Sequence, residues 1–238
     1  MSFKKFFLKS NLSYKAYLYY NLYIRHKCFL NRNKYSQWGE DLEISNFFQN
    51  KLNGFYLDIG CFHPFMYSNT CLLHKKGWSG INIDINPTSI DLFNIARPKD
   101  FNICTTINNE KKLFEVYFDD PFSPLNTLDK KFYKKLSKSF STSEKNTTVE
   151  SKSISEIINL SGIKKSIDFI NIDVEGSDYK VLTQINIQKL KPKLVSIETH
   201  NVDGSESKNY QNICDYLTKN NFTVFKRVGP TTLFDRIK

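Results

Sequence analysis

Carboxylates stand at the ends of two short apolar segments in the first half of the chain. Asp58 precedes Gly60 at the end of the first segment, and Asp84 lies 26 positions after Asp58, at the end of the second. A glycine at such a turn lets the backbone pass close to a ligand, and an acid at the tip of a second strand can accept both hydroxyls of a ribose. The spacing therefore predicts a nucleoside site. The alternatives are that Asp58 is a turn residue and that Asp84 belongs to a helix N-cap network.

The turn after the first segment differs from a dinucleotide-binding loop. Such a loop carries the pattern G-x-G-x-x-G, whereas Phe62 and Pro64 stand here in place of further glycines. An acid before the first glycine repels a pyrophosphate and can pair with the ammonium group of an amino-acid moiety. The pattern indicates a nucleotide-like cofactor other than a dinucleotide.

A second group of ionisable residues follows two apolar segments later in the chain. Asp173 and Glu175 follow one segment, and Glu198 and His200 stand at the end of the next. Because the carboxyl ends of neighbouring parallel strands meet at one edge of a sheet, we expect these side chains to surround one cleft. They can supply a general base, or Asp173, Glu198 and His200 can bind a divalent cation. The alternative is that each residue caps a helix or pairs with a lysine.

Alternating strands and helices are needed to position these residues. From Gly54 onward, short apolar runs alternate with helical stretches, which is typical of βαβ units with a parallel sheet. The last two runs flank Gly229 and Pro230 too closely for a helical crossover, so we expect an antiparallel pair. Ser137 to Ser151 is the predicted mobile loop. The predicted strands are Phe55 to Ile59, Ile81 to Ile85, Phe101 to Ile107, Leu113 to Phe118, Ile167 to Ile172, Leu194 to Glu198, Thr223 to Val228 and Thr231 to Arg236.

The first 34 residues are expected to be a helical appendage, and residues 35–238 one domain. Phe3 to Leu30 interleaves aromatic with basic residues and predicts one or two helices. One interpretation is a cap that packs on the domain or on a second subunit, which leaves oligomer formation open. The other is an interfacial helix that touches a membrane or an anionic acceptor.

The composition narrows the class of protein. Apolar residues make up 40% and charged residues 24% of the chain, which is typical of globular proteins. The net charge of +10 favours anionic partners without choosing among them. Five scattered cysteines indicate neither a disulfide framework nor a zinc site, so a reducing cytoplasm fits best. No run approaches the roughly 18 apolar residues that span a bilayer, and we expect a soluble or membrane-peripheral protein.

Five ordered motifs resemble those of the FkbM family of S-adenosylmethionine-dependent methyltransferases, from about Tyr35 to the C-terminus. Five motifs at consistent spacing are far more specific than any one of them. The motifs are Ser36-Gln37-Trp38-Gly39-Glu40-Asp41, Leu57-Asp58-Ile59-Gly60, Ser68-Asn69-Thr70, Gly77-Trp78-Ser79-Gly80 and Ile172-Asp173-Val174-Glu175-Gly176.

The resemblance implies an α/β fold of the Rossmann-like class I methyltransferase type. Its sheet would be mostly parallel and seven-stranded, closed by a C-terminal antiparallel hairpin. The implied cofactor is S-adenosylmethionine, with Mg²⁺ or Mn²⁺ if the acids and His200 form a metal site. The implied acceptor is a small molecule or glycan, methylated on a hydroxyl of a carbohydrate, glycolipid or secondary metabolite.

The resemblance also assigns cofactor contacts by position. Asp58, Gly60 and Cys61 would line the methionine end. Asp84, with Ile85 and Asn86 beside it, would bind the ribose. Residues up to Thr106 at the end of the third strand would flank the adenine. The motif that contains Gln37 would fold over the cleft, where Glu40 or Asp41 reaches the cofactor or the acceptor.

Two rival interpretations remain. A nucleic-acid methyltransferase would explain the charge, but the chain has Asp-Val-Glu-Gly where amino-methyltransferases carry an Asn-Pro-Pro-Tyr type of tetrapeptide. No nucleic-acid partner is therefore expected. A binding module that has lost the cofactor would explain the altered turn at Phe62 and Pro64, but the acids at three strand ends argue against it.

Overall fold

Buried apolar runs build a central sheet. A computed structural model describes residues 11–49, 51–118, 127–128, 130, 133, 145–174 and 176–237. All five residues of the first strand are buried, as expected for a parallel strand covered on both faces. The strands are β1 (Phe55–Ile59), β2 (Ser79–Asp84), β3 (Phe101–Cys104), β4 (Thr106–Ile107), β5 (Leu113–Phe118), β6 (Lys145–Lys152), β7 (Phe169–Ile172), β8 (Leu194–Glu198), β9 (Phe222–Val228) and β10 (Thr231–Arg236).

The main sheet has seven strands in the described part of the chain, in the order β3-β2-β1-β7-β8-β10-β9. The first five strands of this order run parallel, and β10 is antiparallel to both β8 and β9. The order reverses between β1 and β7, and ligands bind at such a switch point, beyond the carboxyl ends of the strands. The predicted fold, mostly parallel with a C-terminal antiparallel pair, is confirmed.

A second, three-stranded sheet corrects two sequence predictions. The predicted strand Phe101 to Ile107 is broken at Thr105, whose amide donates to the Asp84 carbonyl oxygen (2.9 Å) and whose hydroxyl donates to the Glu150 carbonyl oxygen (2.6 Å). Its last two residues, β4, therefore pair with β6 instead. The predicted mobile loop Ser137 to Ser151 is wrong over 145–151, because these residues belong to β6, which pairs antiparallel with β5 over 145–150 and parallel with β4 from Ser151. The rest of that loop lies outside the described residues.

Helices cover the sheet between the strands. The helix after β2 begins at Pro87, whose fixed φ suits a first helical position, and the preceding Asn86 caps it by accepting the Thr88 amide (2.9 Å). The helices are α1 (Asn11–Tyr20), α2 (Glu40–Phe48), α3 (Cys71–Lys75), α4 (Pro87–Ala96), α5 (Ile154–Ser161), α6 (Asp178–Gln184), α7 (Ile187–Leu190) and α8 (Tyr210–Lys219).

The N-terminal helix packs on the sheet domain through one face. A π-helical turn, Asn21–Arg25, and a 3-10 turn, Lys27–Phe29, extend α1. Leu18 and Leu22 bury against Leu92 of α4. Tyr14 donates a hydrogen bond to Asp91 on the same helix (2.8 Å). Within the described residues, no helix is both long enough and apolar enough to cross a bilayer.

Candidate active site

A cleft opens beyond the carboxyl ends of β1, β2, β3 and β7, where the topology predicts a ligand site. It encloses about 940 Å³ when its open mouth is included. The described residues that line it are Gln37, Ile59, Gly60, Phe62, Tyr67, Ile83, Asp84, Ile85, Thr105, Thr106, Ile107, Leu128, Asp173, Val174, Ser177 and Val181.

Gly60 forms the point where the loops after β1 and β7 meet. Its φ is +82°, and a Cβ at this position would lie 1.7 Å from the carbonyl oxygen of Asp173. Any larger side chain would therefore collide with backbone. The Gly60 amide donates to the Ile83 carbonyl oxygen of β2 (2.8 Å), and the Asp173 amide donates to Ile59 (2.9 Å). The glycine thus lets three strand ends converge under the cleft.

We expect Gly60→Ala to cost more stability than Gly162→Ala, by about 1–3 kcal/mol. Both glycines have positive φ, +82° and +63°, but a Cβ on Gly162 would meet nothing within 4 Å. The comparison therefore removes the backbone strain common to both substitutions and leaves the collision with Asp173. Urea unfolding of the two variants measures the difference. Equal losses of unfolding free energy in the two variants would show that the loops after β1 and β7 can move apart without destabilising the protein.

Asp84 lies at the end of β2 with its carboxylate in the cleft wall. One oxygen accepts the Phe62 amide and the other accepts the Asn86 amide, each at 2.8 Å. Burial raises the pKa of Asp84 to about 6, an increase that these two backbone hydrogen bonds oppose and the nearby Asp58 reinforces. The group is therefore mostly ionised at pH 7. The carboxylate also accepts from the Ile85 backbone amide. A carboxylate offers about four lone-pair sites, so it retains acceptor capacity for a ligand hydroxyl.

Asp58 lies beneath the cleft, fully enclosed by side-chain partners. Thr70 donates to one carboxylate oxygen (2.6 Å) and Asn171 to the other (2.9 Å). Burial raises the pKa of Asp58, and the hydrogen bonds from Thr70 and Asn171 oppose that increase. Asn69 donates in turn to Asn171 (3.0 Å). The Ser68-Asn69-Thr70 motif is thereby placed in a buried polar network below the cleft floor.

Arg97, which the sequence analysis did not single out, is the cation of this network. It follows α4 and is fully buried. Its guanidinium donates to the Tyr56 hydroxyl (3.1 Å), the Thr70 hydroxyl (2.8 Å), the Ser68 hydroxyl (3.1 Å) and the Pro64 carbonyl oxygen (2.5 Å). The Arg97 guanidinium lowers the pKa of Asp58 against the effect of burial. One buried charge therefore joins β1, α4 and the loop that bears the motif.

The residues predicted to act as base or metal ligands do not come together. Asp173 lines the cleft, whereas Glu198 and His200 are absent from its described lining. His200 contacts the Thr199 hydroxyl (2.7 Å) and packs against the Tyr210 ring (5.1 Å). Partial burial and the nearby Arg227 lower the pKa of His200, and Glu206 opposes that decrease. Glu175 lies outside the described residues.

The predicted metal site of Asp173, Glu198 and His200 finds no support. Among the described residues, no group of three acids, histidines or cysteines is arranged to hold a metal ion. The strand geometry gives the reason. Glu198 is the last residue of β8 and pairs with Thr231 of β10, and His200 lies beyond it, its amide bonded to Pro230 (3.0 Å). Glu198 and His200 therefore lie beside the terminal hairpin and not in the lining of the cleft with Asp173.

The early Ser-Gln-Trp-Gly-Glu-Asp motif brings only Gln37 to the cleft. Asp41 is buried and accepts the Tyr35 amide (2.6 Å) and the Ser36 hydroxyl. Glu40 accepts the Trp38 amide (2.9 Å). Neither Glu40 nor Asp41 is among the described residues that line the cleft, and both carboxylates accept hydrogen bonds within the turn before α2.

The other predicted cofactor residues divide between the cleft wall and its support. Ile85 and Thr106 line the cleft. Cys61 is buried behind it, with its amide on the Ile83 carbonyl oxygen (3.2 Å). Asn86 is the N-cap of α4 and its amide donates to Asp84, which agrees with the alternative that Asp84 belongs to a helix N-cap network.

Two lining residues that sequence reasoning missed lie on the loop after β1. Phe62 and Tyr67 have positive φ values, 48° and 55°. Non-glycine residues adopt this conformation rarely, and such residues cluster at functional sites. In the sequence, Phe62 stands out only as a departure from the glycine pattern and Tyr67 only by preceding the Ser68-Asn69-Thr70 motif. Both rings border the opening above Gly60.

The sheet order and the cleft define a class. A doubly wound sheet with a terminal antiparallel pair, and an acid at the end of its second strand, is the architecture of Rossmann-like class I methyltransferases. Within that class, the chain belongs to the methyltransferase FkbM domain family, whose family model matches residues 54–224. The predicted family is therefore confirmed.

Comparison with solved structures finds a methyltransferase FkbM from Methylobacillus flagellatus KT. It is 14% identical in sequence, with a TM-score of 0.46 over 91% of this chain. The chain spans about half of that protein, 47% of its length. No curated protein matches the chain.

Proposed function

We propose that this protein is a methyltransferase that binds S-adenosylmethionine in the cleft and methylates a hydroxyl group of a small molecule or glycan. The observation that carries the proposal is Asp84, a buried carboxylate that lines the cleft together with Gly60. Membership of the FkbM domain family supports methyl transfer.

The residues of the cleft fit a nucleoside with an amino-acid moiety. Asp84 would accept the ribose hydroxyls, and Ile85 and Thr106 offer apolar and polar surface for an adenine. Because Asp58 is absent from the described lining of the cleft and its carboxylate accepts from Thr70 and Asn171, we assign it the role of holding the loop after β1 and not of pairing with the ammonium group. Gly60 and Asp173 line the wall left for the methionine end.

Bound S-adenosylmethionine supplies an electrophilic methyl group on a sulfonium. The chain must hold an acceptor oxygen in line with that group and remove the hydroxyl proton. Asp84 and Asp173 are the acids among the described residues that line the cleft. Because Asp84 is assigned to the ribose, we assign Asp173 as the base that accepts this proton. Gln37 and Tyr67 border the same cleft and would orient the acceptor.

We expect Asp84→Ala to weaken the binding of S-adenosylhomocysteine about tenfold to hundredfold, because two hydrogen bonds to a buried carboxylate are lost. Isothermal titration calorimetry measures the affinity directly and needs no acceptor. Asp203→Ala is the matched control, since this acid lies in an exposed turn and bonds only within it, to Ser205. Unchanged affinity in Asp84→Ala would remove the ribose assignment, and a wild-type protein that fails to bind would remove the cofactor.

A further inference from the structure

The charge of the chain is concentrated at its N-terminus. The first 39 residues contain eight basic side chains and no acidic one, whereas the other 199 residues carry 26 basic and 24 acidic side chains. The excess that gives the protein its net charge of +10 is therefore almost entirely N-terminal. The eight residues are Lys4, Lys5, Lys9, Lys15, Arg25, Lys27, Arg32 and Lys34.

The same segment presents a bare apolar stripe. Leu12, Tyr19, Tyr20, Tyr23 and Ile24 are all exposed, with Leu12 at 81% and Ile24 at 60%. Their spacing of three, four and seven positions puts them along one side of α1 and the turn that extends it. The opposite side, with Leu18 and Leu22, is the one that packs on α4. The helix is thus apolar on two faces. On the second face the Tyr23 ring meets the Phe65 ring (6.4 Å between centroids), but all five residues of the stripe remain exposed.

Basic side chains border this exposed stripe. Lys15, Arg25 and Lys27 are themselves exposed on the same segment. Tyrosine rings and long cationic side chains are the residue types that settle at the boundary between lipid headgroups and acyl chains. Tyr19 and Tyr23 lie side by side, with ring centroids 6.0 Å apart.

We propose that this stripe, Leu12, Tyr19, Tyr20, Tyr23 and Ile24, together with its bordering lysines and arginine, docks on the surface of a bilayer that contains anionic lipid. The negative charge of the phosphate headgroups complements the basic residues. The apolar side chains of the stripe enter the boundary between headgroups and acyl chains. A second copy of the chain is a poorer occupant, because two segments of like charge repel each other. Nucleic acid is poorer too, because Leu12 and Ile24 add nothing to phosphate binding.

The N-terminal segment contacts the rim of the cleft, so membrane docking would also position the cleft. The His63 ring bonds to Asn21 (3.2 Å), and the Phe29 ring packs against Tyr67 (6.3 Å). Tyr67 is one of the residues that line the cleft. A membrane under the N-terminal segment would therefore hold the cleft rim close to the lipid surface, where an acceptor with a lipid anchor is presented.

Vesicle co-sedimentation of the full chain tests the proposal without cofactor or acceptor, so its outcome is independent of the proposed function. We expect binding to vesicles of phosphatidylcholine with phosphatidylglycerol, weak binding to phosphatidylcholine alone, and release at high salt. Lys15→Gln with Lys27→Gln should weaken binding roughly 25-fold, at a fewfold per charge. Leu12→Gln with Ile24→Gln should weaken it about tenfold or more.

Matched double variants elsewhere on the surface provide the controls. Lys164→Gln with Lys208→Gln removes two exposed lysines, and Leu160→Gln with Val202→Gln removes two exposed apolar side chains. Both should bind vesicles as the wild type does. The proposal is overturned by equal binding to neutral vesicles, by no binding to either, or by equal losses in the test and control pairs. It is also overturned if the test pairs abolish self-association or binding to a DNA duplex and leave vesicle binding intact.

Discussion

Asp173→Asn should lower kcat by about 10²-fold to 10⁴-fold while leaving the affinity for S-adenosylhomocysteine nearly unchanged, as expected for the loss of a general base. The asparagine keeps the size of the side chain but cannot accept the acceptor proton. Asp173 lines the cleft beside Gly60, whereas the other described candidates, Glu198 and His200, do not. Turnover is followed as release of S-adenosylhomocysteine, with an acceptor found by screening the wild type against monosaccharides and glycolipids.

Three further variants make the catalytic assignment decisive. Asp203→Asn, in an exposed turn, should retain wild-type kcat. Glu198→Gln and His200→Ala should change kcat far less than Asp173→Asn. A large loss in His200→Ala with near-normal turnover in Asp173→Asn would move the base to the imidazole and contradict the assignment.

Arg97→Met should lower the free energy of unfolding by about 3–5 kcal/mol, the usual cost of removing one partner from a buried ionic network. Methionine fills part of the volume but leaves four acceptors without their donor: the hydroxyls of Tyr56, Ser68 and Thr70, and the Pro64 carbonyl oxygen. Asp58 also loses the cation that lowers its pKa. Urea unfolding followed by circular dichroism measures the loss.

Two variants accompany this measurement. Arg32→Met removes an exposed guanidinium and should cost less than about 1 kcal/mol. Arg97→Lys keeps the charge but cannot span four partners, so it should be intermediate, and it remains informative if Arg97→Met fails to fold. A loss below 1 kcal/mol in Arg97→Met would mean that the network is dispensable.

Much of the fold could be predicted because parallel strands are short apolar runs with clear ends. The predicted limits Phe55 to Ile59 and Leu194 to Glu198 agree with β1 and β8. The exceptions lie where pairing depends on distant partners. β6 is rich in lysine, serine and threonine, and its partner β5 is more than 25 residues earlier in the chain, so local composition indicated a loop.

The candidate site could be predicted in outline but not in its side-chain roles. Gly60 and Asp84 could be predicted as site residues because they stand at the carboxyl ends of parallel strands, and the topology brings these ends to one edge of the sheet. Arg97 gave no signal, because its partners lie in β1 and in the loop after β1, far from it in the chain, and an isolated arginine after a helix is ordinarily exposed. Asp58 and Asp84 stand in similar sequence contexts. Asp58 accepts hydrogen bonds from Thr70 and Asn171 and supports the loop, whereas Asp84 lines the cleft. This difference follows only from the three-dimensional structure.

The contact between Gly60 and the Asp173 carbonyl has a consequence for the thermodynamics of ligand binding. Two loops that already meet backbone to backbone have little freedom left to lose when a ligand settles on them. The conformational entropy lost on binding should then come from the rim, where Gln37 and Tyr67 are exposed, and not from the floor. Affinity would be preorganised at the base of the cleft, and selectivity among acceptors would be decided by the side chains that can still adjust.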